Sequence, residues 1–504
     1  VTVLHELVTA AATAAPQRPA VVTDDGTTAT FAEFDHQIRG VAGWVAAHTR
    51  PGDRVAVVAD NSAAYAQLYY AVPRSGRVLT LINQRLSPAE QAVQLAAARP
   101  TLLLGDHRYL SALGDTSPDM HSVAFDSAQW RAALAADLPF DDVAGPDDPA
   151  WLLFTSGSTG VPKAVVHSHR SILAAVWGSV AGRSVRPGGV YLLPFPMCHI
   201  AGYNMLVHHA VAATVVLSAQ FRPEGFTQLV RTHSVTSCSL APTMLHSLLG
   251  YLERTGTDLP TLQAIAYGSA AMPLDLLRRA IDVLGVDFHQ GYGMTETGGN
   301  ITFLGPDDHR AGAAGRPELL TSAGYPHDGV EIGITDPAGA RLPAGSVGEI
   351  LVRGAQVTPR YWPDGASTED GWLRTGDMGR IDAGGRLFVV DRLKDIIVTG
   401  GENVSSREVE DALSDHPAVD QVAVVAVPDD YWGEAVCAVV VPVQGCQPTA
   451  DELIGHVRGM IAGFKRPRVV LFTEALPLTG NGKIAKDRVR AFARAAVLGG
   501  TDDP

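Results

Sequence analysis

Between positions 54 and 83 the chain lays out a pattern that recurs through most of its length up to Tyr325. RVAVVAD (54–60) is an apolar run of strand length, SAAYAQLYYAVPRSG (62–76) places apolar residues at helical spacing, and RVLTLIN (77–83) returns to strand length. This alternation predicts βαβ units and mostly parallel βα layers. Past Tyr325 the text changes. Short β-branched runs (VEIGITD, GEILVRG, GRLFVVD) separated by Pro-Ala-Gly, Pro-Asp-Gly and Ala-Gly-Gly turns predict a small antiparallel β unit that ends at Asp391. A fresh cycle follows: a helix at SSREVEDALSDH, strands at QVAVVAVPD and AVCAVVVPV, a helix at TADELIGHVRGMI and a basic tail. The fold class is therefore α/β. A large N-terminal domain (1–391) of mostly parallel βα layers plus the β unit precedes a smaller α+β C-terminal domain (392–504), with the boundary near Arg392 to Lys394.

Composition narrows the function classes. The 504 residues are 46% hydrophobic and 18% charged, which fits large globular cores. No uninterrupted apolar run reaches the roughly 18 residues of a membrane span. A net charge of −14 repels phosphate polymers, so neither nucleic acid nor an anionic membrane surface is expected as a general partner. Four cysteines without a C-x-x-C spacing exclude a disulfide framework and a structural zinc, and point to a reducing compartment. The opening VTVLHELVTAAATAAPQRPA lacks the basic n-region of a secretory signal, so a cytoplasmic location is expected.

Five segments carry candidate chemistry. Thr155-Ser156-Gly157-Ser158-Thr159-Gly160-Val161-Pro162-Lys163 follows the strand-like WLLF; its bare backbone amides, hydroxyls and lysine are the parts of a phosphate cradle, or of an ordinary surface loop. Its spacing is not that of a Walker A loop, and no G-x-G-x-x-G follows a strand. Gln290 to Gly299 (QGYGMTETGG) sets an aromatic ring beside a hydroxyl and a carboxylate, suited to a base, a phosphate and Mg²⁺, or reads as a plain turn. GWLRTGD (371–377) and DRLKDII (391–397) supply an aspartate that can accept two ribose hydroxyls and an arginine behind it, or else a salt-bridged turn. PLTGNGK (477–483) ends in a glycine-flanked lysine. From Phe464 to Arg490 there are seven basic residues against two acidic, a local concentration that suits an anionic ligand.

In their order, TSGSTGVPK, PMCHIAG, YGSAAMP, GYGMTE, GWLRTGD, DRLKDIIVTGGENV and PLTGNGK closely resemble the motif series of the adenylate-forming superfamily, which includes acyl-CoA synthetases, peptide-synthetase adenylation domains and luciferases. The resemblance spans nearly the whole chain. It implies that Thr155 to Lys163, with Ser156, Gly157, Ser158, Thr159 and Gly160, orients the ATP β- and γ-phosphates. Gly268, Ser269, Ala270 and Tyr292 would line the adenine, Thr295 would touch the α-phosphate, and Glu296 would hold Mg²⁺. Asp377 would take the ribose hydroxyls, Arg392 would support the sugar, Lys483 would be the catalytic lysine, and His199 would border and gate the acyl pocket. The small domain would turn about Lys394 between half-reactions, bringing Gly400 and Gly401 beside the thiol channel. CoA would pack on Trp432, Phe464 and Arg466.

The same resemblance implies an ATP-dependent acid-thiol ligase with ATP, Mg²⁺ and CoA as cofactors and a small carboxylic acid as substrate; it admits a homodimer. No G-x-S-x-G elbow surrounds Ser158, in keeping with a mechanism that needs no nucleophilic serine. HIAGYN (199–204) lacks the aspartate that holds an amino-acid ammonium, and this favours a free acid and CoA over an amino acid and a tethered pantetheine. Gly293, Gly298 and Gly299, with Trp177, Tyr203 and Leu240, suggest either a roomy apolar pocket for a medium-chain, aromatic or alicyclic acid, or glycines that merely permit tight turns. A carrier-protein-loading adenylation enzyme is the alternative; a luciferase-like oxidase and a non-catalytic ATP-binding protein fit less well. Three positions depart from the family pattern: Ala164 and Asp391 stand where glycine is frequent, and Cys198 replaces an aromatic residue before His199, which leaves the gate open to question.

Overall fold

The first strand-helix-strand unit forms as its periodicity predicts: Arg54–Val58, helix Ala63–Arg74 and Val78–Leu81, with the two strands paired in parallel, Arg54 opposite Val78. The structure is a computed structural model that describes residues 1–114, 120–140, 142, 144–155, 163–268, 270, 272–358, 360–363, 365–479 and 483–498. Among these residues no helix is long and apolar enough to cross a membrane.

Two large sheets make the body of the N-terminal part. One has seven strands centred on the parallel set 149–155, 78–81, 54–58, 102–105 and 121–124. The other has nine, with a parallel centre from 287–294 through 264–268, 237–240, 190–193 and 214–217 to 19–23, and antiparallel strands at both edges. Helices Phe31–His48 and His169–Gly182 both start on capping boxes, Thr30 with Glu33 and Ser168 with Ser171. Their apolar faces join a core built around Trp151, Tyr65, Tyr69, Tyr70 and Tyr191. Two of these buried rings have their polar ends satisfied: the Trp151 indole donates to Tyr69 O at 3.3 Å, and the Tyr70 hydroxyl meets His209 Nδ1 at 2.8 Å.

The antiparallel unit expected after Tyr325 is a five-stranded sheet containing 330–335, 348–354, 372–381 and 387–392. One excursion leaves it. Tyr361–Trp362 pairs with Lys163–Ser168 at the edge of the seven-stranded sheet, where the Trp362 indole donates to Ala97 O at 2.9 Å. A three-residue turn, Leu393–Asp395, then leads to a separate small sheet (397–399, 402–404, 419–429, 433–442 and 469–472) with its own apolar layers on both faces.

Asp391, the departure noted in the sequence, joins the two parts. It is the penultimate residue of strand Leu387–Arg392 in the five-stranded sheet and is buried against the start of helix Ser406–Ser414. Its Oδ2 accepts from Ser406 Oγ at 2.8 Å, Ser405 Oγ at 3.1 Å and Arg407 N at 3.3 Å, so a carboxylate of the large part caps a helix of the small one. Arg407 donates back to Val389 O at 3.1 Å. Replacing Asp391 with alanine should cost about 1–2 kcal/mol, the worth of a helix cap. The effect should appear as a lower melting temperature and faster tryptic cleavage after Arg392 and Lys394; unchanged values for both would rule the cap out.

Candidate active site

The sequence motifs converge where the C-terminal ends of the nine-stranded sheet face the five-stranded sheet and the small domain. Strand Asp287–Met294 runs straight through the glycine-rich GYGM rather than turning there, and only then breaks into the short helix Thr295–Thr297. Glycine is required in this hairpin by close approach: a Cβ on Gly293 would stand 2.1 Å from Gly299 O, and one on Gly268 would stand 2.3 Å from Gly291 O.

Every carbonyl of the Thr295–Thr297 turn is held from another segment. His167 Nε2 lies 2.6 Å from Thr295 O, Thr358 N donates to Glu296 O at 2.8 Å, and Gln356 Nε2 donates to Thr297 O at 2.8 Å. Burial depresses the His167 pKa to about 4, which keeps this ring neutral and its role that of a fixed donor. The turn thus presents the Glu296 side chain inward, 9% exposed, and among the described residues its one side-chain donor is the Tyr361 hydroxyl at 3.3 Å. Desolvation raises the Glu296 pKa above the ordinary carboxylate value, the mark of an anion short of a cation.

A second carboxylate lies close by. Asp377, buried at the start of a strand bend after Gly376 (φ +70°), accepts from the Tyr292 hydroxyl at 2.7 Å and pairs with Arg392 Nε at 3.3 Å. Desolvation raises its pKa, and the Arg392 guanidinium partly offsets that. The ring of Tyr292 is fixed by this bond.

Lys483 completes the cluster from the small domain. Its segment is tied by Thr479 N to Lys483 O at 2.7 Å and Lys483 N to Thr479 Oγ1 at 3.2 Å. Desolvation and the Arg392 charge lower its pKa to about 8, with Asp377 pulling the other way, so the amine shares a field with both. The same amine acts on His199, whose pKa burial drives down to about 3 and whose Nε2 is buried without a partner. Of the chain's five lysines, Lys394, Lys465 and Lys486 are in ion pairs, whereas among the described residues Lys163 and Lys483 make none.

Other expected site residues fall as follows. Thr155 and Lys163 are paired across the antiparallel strands Pro149–Thr155 and Lys163–Ser168, which close the glycine-rich loop; Ser156 to Gly160 and Ser269 lie outside the described residues. Ala270 is exposed after strand Ala264–Gly268. Cys198 is buried, its Sγ 3.7 Å from Asn83 Oδ1. In the small domain Gly400 and Gly401 both have positive φ, and Gly400 packs under Trp432, over which Arg468 stands at 4.3 Å. Phe464 is exposed beside Lys465. Arg466 Nε is buried without a partner. The basic tail is less open than its composition implies: Lys465 binds Glu408, Lys486 binds Glu410, and Arg490 binds Asp395 and Asp487.

A narrow cavity of about 50 Å³ is lined by Gly268, Met294, Phe195, Ile200, Tyr203 and Leu240. Trp177 does not line it and is 42% exposed. Both readings of the glycines hold in part: Gly293 and Gly299 line the space, yet a Cβ on Gly299 would stand 2.7 Å from the Tyr203 ring. His167, Gln356, Thr358 and Arg183, the last a lining residue of the cavity, are site residues that no sequence motif flagged.

Comparison with known proteins gives a consistent picture. Residues 8–362 match the family model described as AMP-binding enzyme, and residues 408–483 match that of the AMP-binding enzyme C-terminal domain. A feruloyl-CoA synthase from Amycolatopsis sp is 35% identical over 472 residues, 92% of this chain and 94% of that protein. A fatty acid–[acyl-carrier-protein] ligase, ScoC from Streptomyces coeruleorubidus, is 33% identical over 490 residues, 94% of this chain and 93% of that protein. Among solved structures, the amide bond synthetase McbA from Marinactinospora thermotolerans superposes with a TM-score of 0.88 at 32% identity, covering 97% of this chain and all of that one.

An amine that titrates near 8 is partly neutral at neutral pH. Brief acylation with an amine reagent at pH 7.5, read by peptide mass spectrometry, should modify Lys483 faster than Lys394 or Lys465. Equal rates would contradict the depressed pKa.

Proposed function

The chain belongs to the AMP-binding enzyme family, and from that premise we propose that it is an acyl-CoA synthetase that joins a carboxylic acid to AMP and then passes the acyl group to CoA. The observation that carries this reading is the electrostatic coupling of Lys483 on the small domain with Asp377 and His199 of the large one and with Arg392 at the junction.

In the first step an acid oxygen bonds to the ATP α-phosphorus, and the bridging oxygen leaves with pyrophosphate. Both partners are anions, so the site's task is electrostatic. Lys483 stands where it meets the α-phosphate and carboxylate oxygens, and the incoming polyanion raises its pKa and holds it protonated. Asp377 takes the ribose hydroxyls, Tyr292 faces the base, Thr295 meets the α-phosphate, and Thr155 and Lys163 serve the outer phosphates. Glu296 fits a divalent cation, since it is a buried carboxylate with one weak donor; among the described residues no cluster of three such side chains surrounds it, as suits Mg²⁺ held by one carboxylate and phosphate oxygens. Bound there, Mg²⁺ would neutralise phosphate charge. Neutral His199, with its unpartnered Nε2, borders the acyl entrance.

In the second step a thiol attacks the acyl carbon and AMP leaves. The Gly400–Trp432 face lies on the small domain apart from Lys483, so a turn about Lys394 that withdraws Lys483 would bring it to the cleft. That face, with Phe464 and Arg466, is the proposed CoA contact. A second reading rests on the likeness to ScoC and to McbA: the adenylate is made in the same way but passed to a carrier thiol or an amine. Supplying CoA, a holo-carrier protein and simple amines side by side separates the three by product mass.

Lys483→Ala should lower pyrophosphate release roughly 10²- to 10³-fold or more, the scale of removing one preorganised donor. Thioester formation from supplied acyl-adenylate should largely survive. Equal loss of both would refute this division of labour. Because the cationic amine is the active form and its pKa is lowered to about 8 in the free protein, kcat/KM for ATP should fall as pH rises through 8. Lys483→Arg should move that fall to higher pH, and a profile unchanged by the substitution would assign it to another group.

A further inference from the structure

Arg183 lies in the wall of the cavity, at the end of helix His169–Gly182. Its Nη1 donates to Asn204 Oδ1 at 2.6 Å and its Nη2 lies 3.3 Å from the Tyr203 hydroxyl. The Asn204 amide is itself fixed by a bond from Nδ2 to Ala201 O at 2.8 Å, so its oxygen is aimed at the arginine. Among the described residues Arg183 makes no ion pair.

Several other shielded arginines here are neutralised or saturated, Arg466, whose Nε has no partner among the described residues, being an exception. Arg74 faces Asp35 and Asp142, Arg386 faces Asp308 and Asp382, and Arg490 faces Asp395. Arg77, without such a pair, spreads its donors over Thr49, Ala46 and Ser75 oxygens. Arg183 has two neutral acceptors for five donors. The Phe303 ring, 5.9 Å away, and the helix C-terminus soften the cost of its charge, but neither carries a full negative charge.

Its surroundings are polar yet neutral. Ser239, Ala266 and His289 are in register on adjacent strands, and Ser239 Oγ already accepts from the Tyr191 hydroxyl at 2.8 Å, which leaves its own proton for another acceptor. Among the described residues His289 Nδ1 is buried without a partner, and burial lowers the pKa of His289 to about 4 and that of His208 to about 3, with the Arg183 charge contributing to both. Depth also follows from these neighbours. Gly268 and Met294 end their strands at the adenylate side, whereas His289 and Tyr191, which feel the Arg183 charge, lie toward the strand beginnings. The cavity thus joins the strand ends at Gly268 and Met294, apolar walls of Phe195, Ile200 and Leu240, and the partly buried cation of Arg183.

Resting on the acyl-adenylate reading, we propose that Arg183 anchors a second carboxylate at the far end of the acid substrate. A guanidinium fork matches a carboxylate with two parallel hydrogen bonds. An acid with a purely apolar tail would bury this cation against carbon and leave its donors unsatisfied.

The test measures ATP-dependent pyrophosphate release by the full-length protein from matched aliphatic and benzene acids whose far ends carry methyl, neutral amide or carboxylate. The carboxylate members should be preferred in kcat/KM by roughly ten- to hundredfold over the methyl members, the range expected for a charge-assisted bond. Arg183→Gln should collapse that ratio and Arg183→Lys should retain part of it. A role in folding alone would lower every acid alike and leave the ratio standing. Activity on the methyl or amide members without a gain from the distal carboxylate overturns the anchor and leaves adenylation in place. No pyrophosphate release from any acid overturns both.

Discussion

Two buried carboxylates short of positive charge set the terms for the rest of this structure. Glu296 and Asp377 both sit where desolvation disfavours their anionic form, and the large domain supplies only Tyr361, Tyr292 and Arg392 against them. Isolated charge of this kind persists only where the fold holds it rigidly and a ligand or a second element completes it. Here the rigid hold is the bonding of all three carbonyls of the Thr295–Thr297 turn, and part of the completion is Lys483, brought by a domain that folds around its own two apolar layers. The site is therefore assembled by domain placement as much as by the large domain's fold.

The same placement explains why Asp391 matters. A carboxylate that caps a helix across the domain junction favours the arrangement in which Lys483 faces the cleft, and it does so through three hydrogen bonds to consecutive residues, Ser405 to Arg407. Lys486 strengthens the same end of the helix by meeting Ser406 and Glu410. The Asp391 bonds link the last strand of the large part to a helix of the small one, so a rotation about Lys394 would break them together, whereas the Lys486 contacts lie within the small domain. A junction built in this way has few intermediate positions, which suits a reaction that needs two distinct arrangements.

What could be read in the sequence was whatever depends on neighbours along the chain. The strand-helix-strand unit at 54–81, the antiparallel unit before Asp391 and the chemistry-bearing motifs all rest on local spacing or on residue types side by side. Long-range completion was invisible. Gln356 reaches Thr297 across 59 residues and His167 reaches Thr295 across 128, and nothing near either residue marks it as a brace. The basic tail erred in the opposite direction: the acidic partners of Lys465 and Arg490 lie 57 and 95 residues away, so a local charge count overstated the positive surface. Trp177, set beside the pocket by the family resemblance, does not line the cavity.

The acyl cavity shows how the two kinds of information combine. Glycines and apolar residues near Tyr203 and Leu240 correctly indicated a space, and from composition alone that space would be apolar throughout. Arg183 carries no motif, and at the end of a helix it reads as an ordinary terminal cation interacting with the helix dipole. Its meaning comes from what surrounds it: two neutral acceptors, two histidines kept uncharged by burial, and no carboxylate in ion-pair reach among the described residues. A pocket wall can carry such a charge at low cost only if solvent or substrate meets it. Solvent would serve the empty protein, but a substrate that fills the cavity displaces that water, and the penalty then falls on any acid whose tail offers no negative oxygen. Discrimination at this site thus arises as much from what Arg183 rejects as from what it binds.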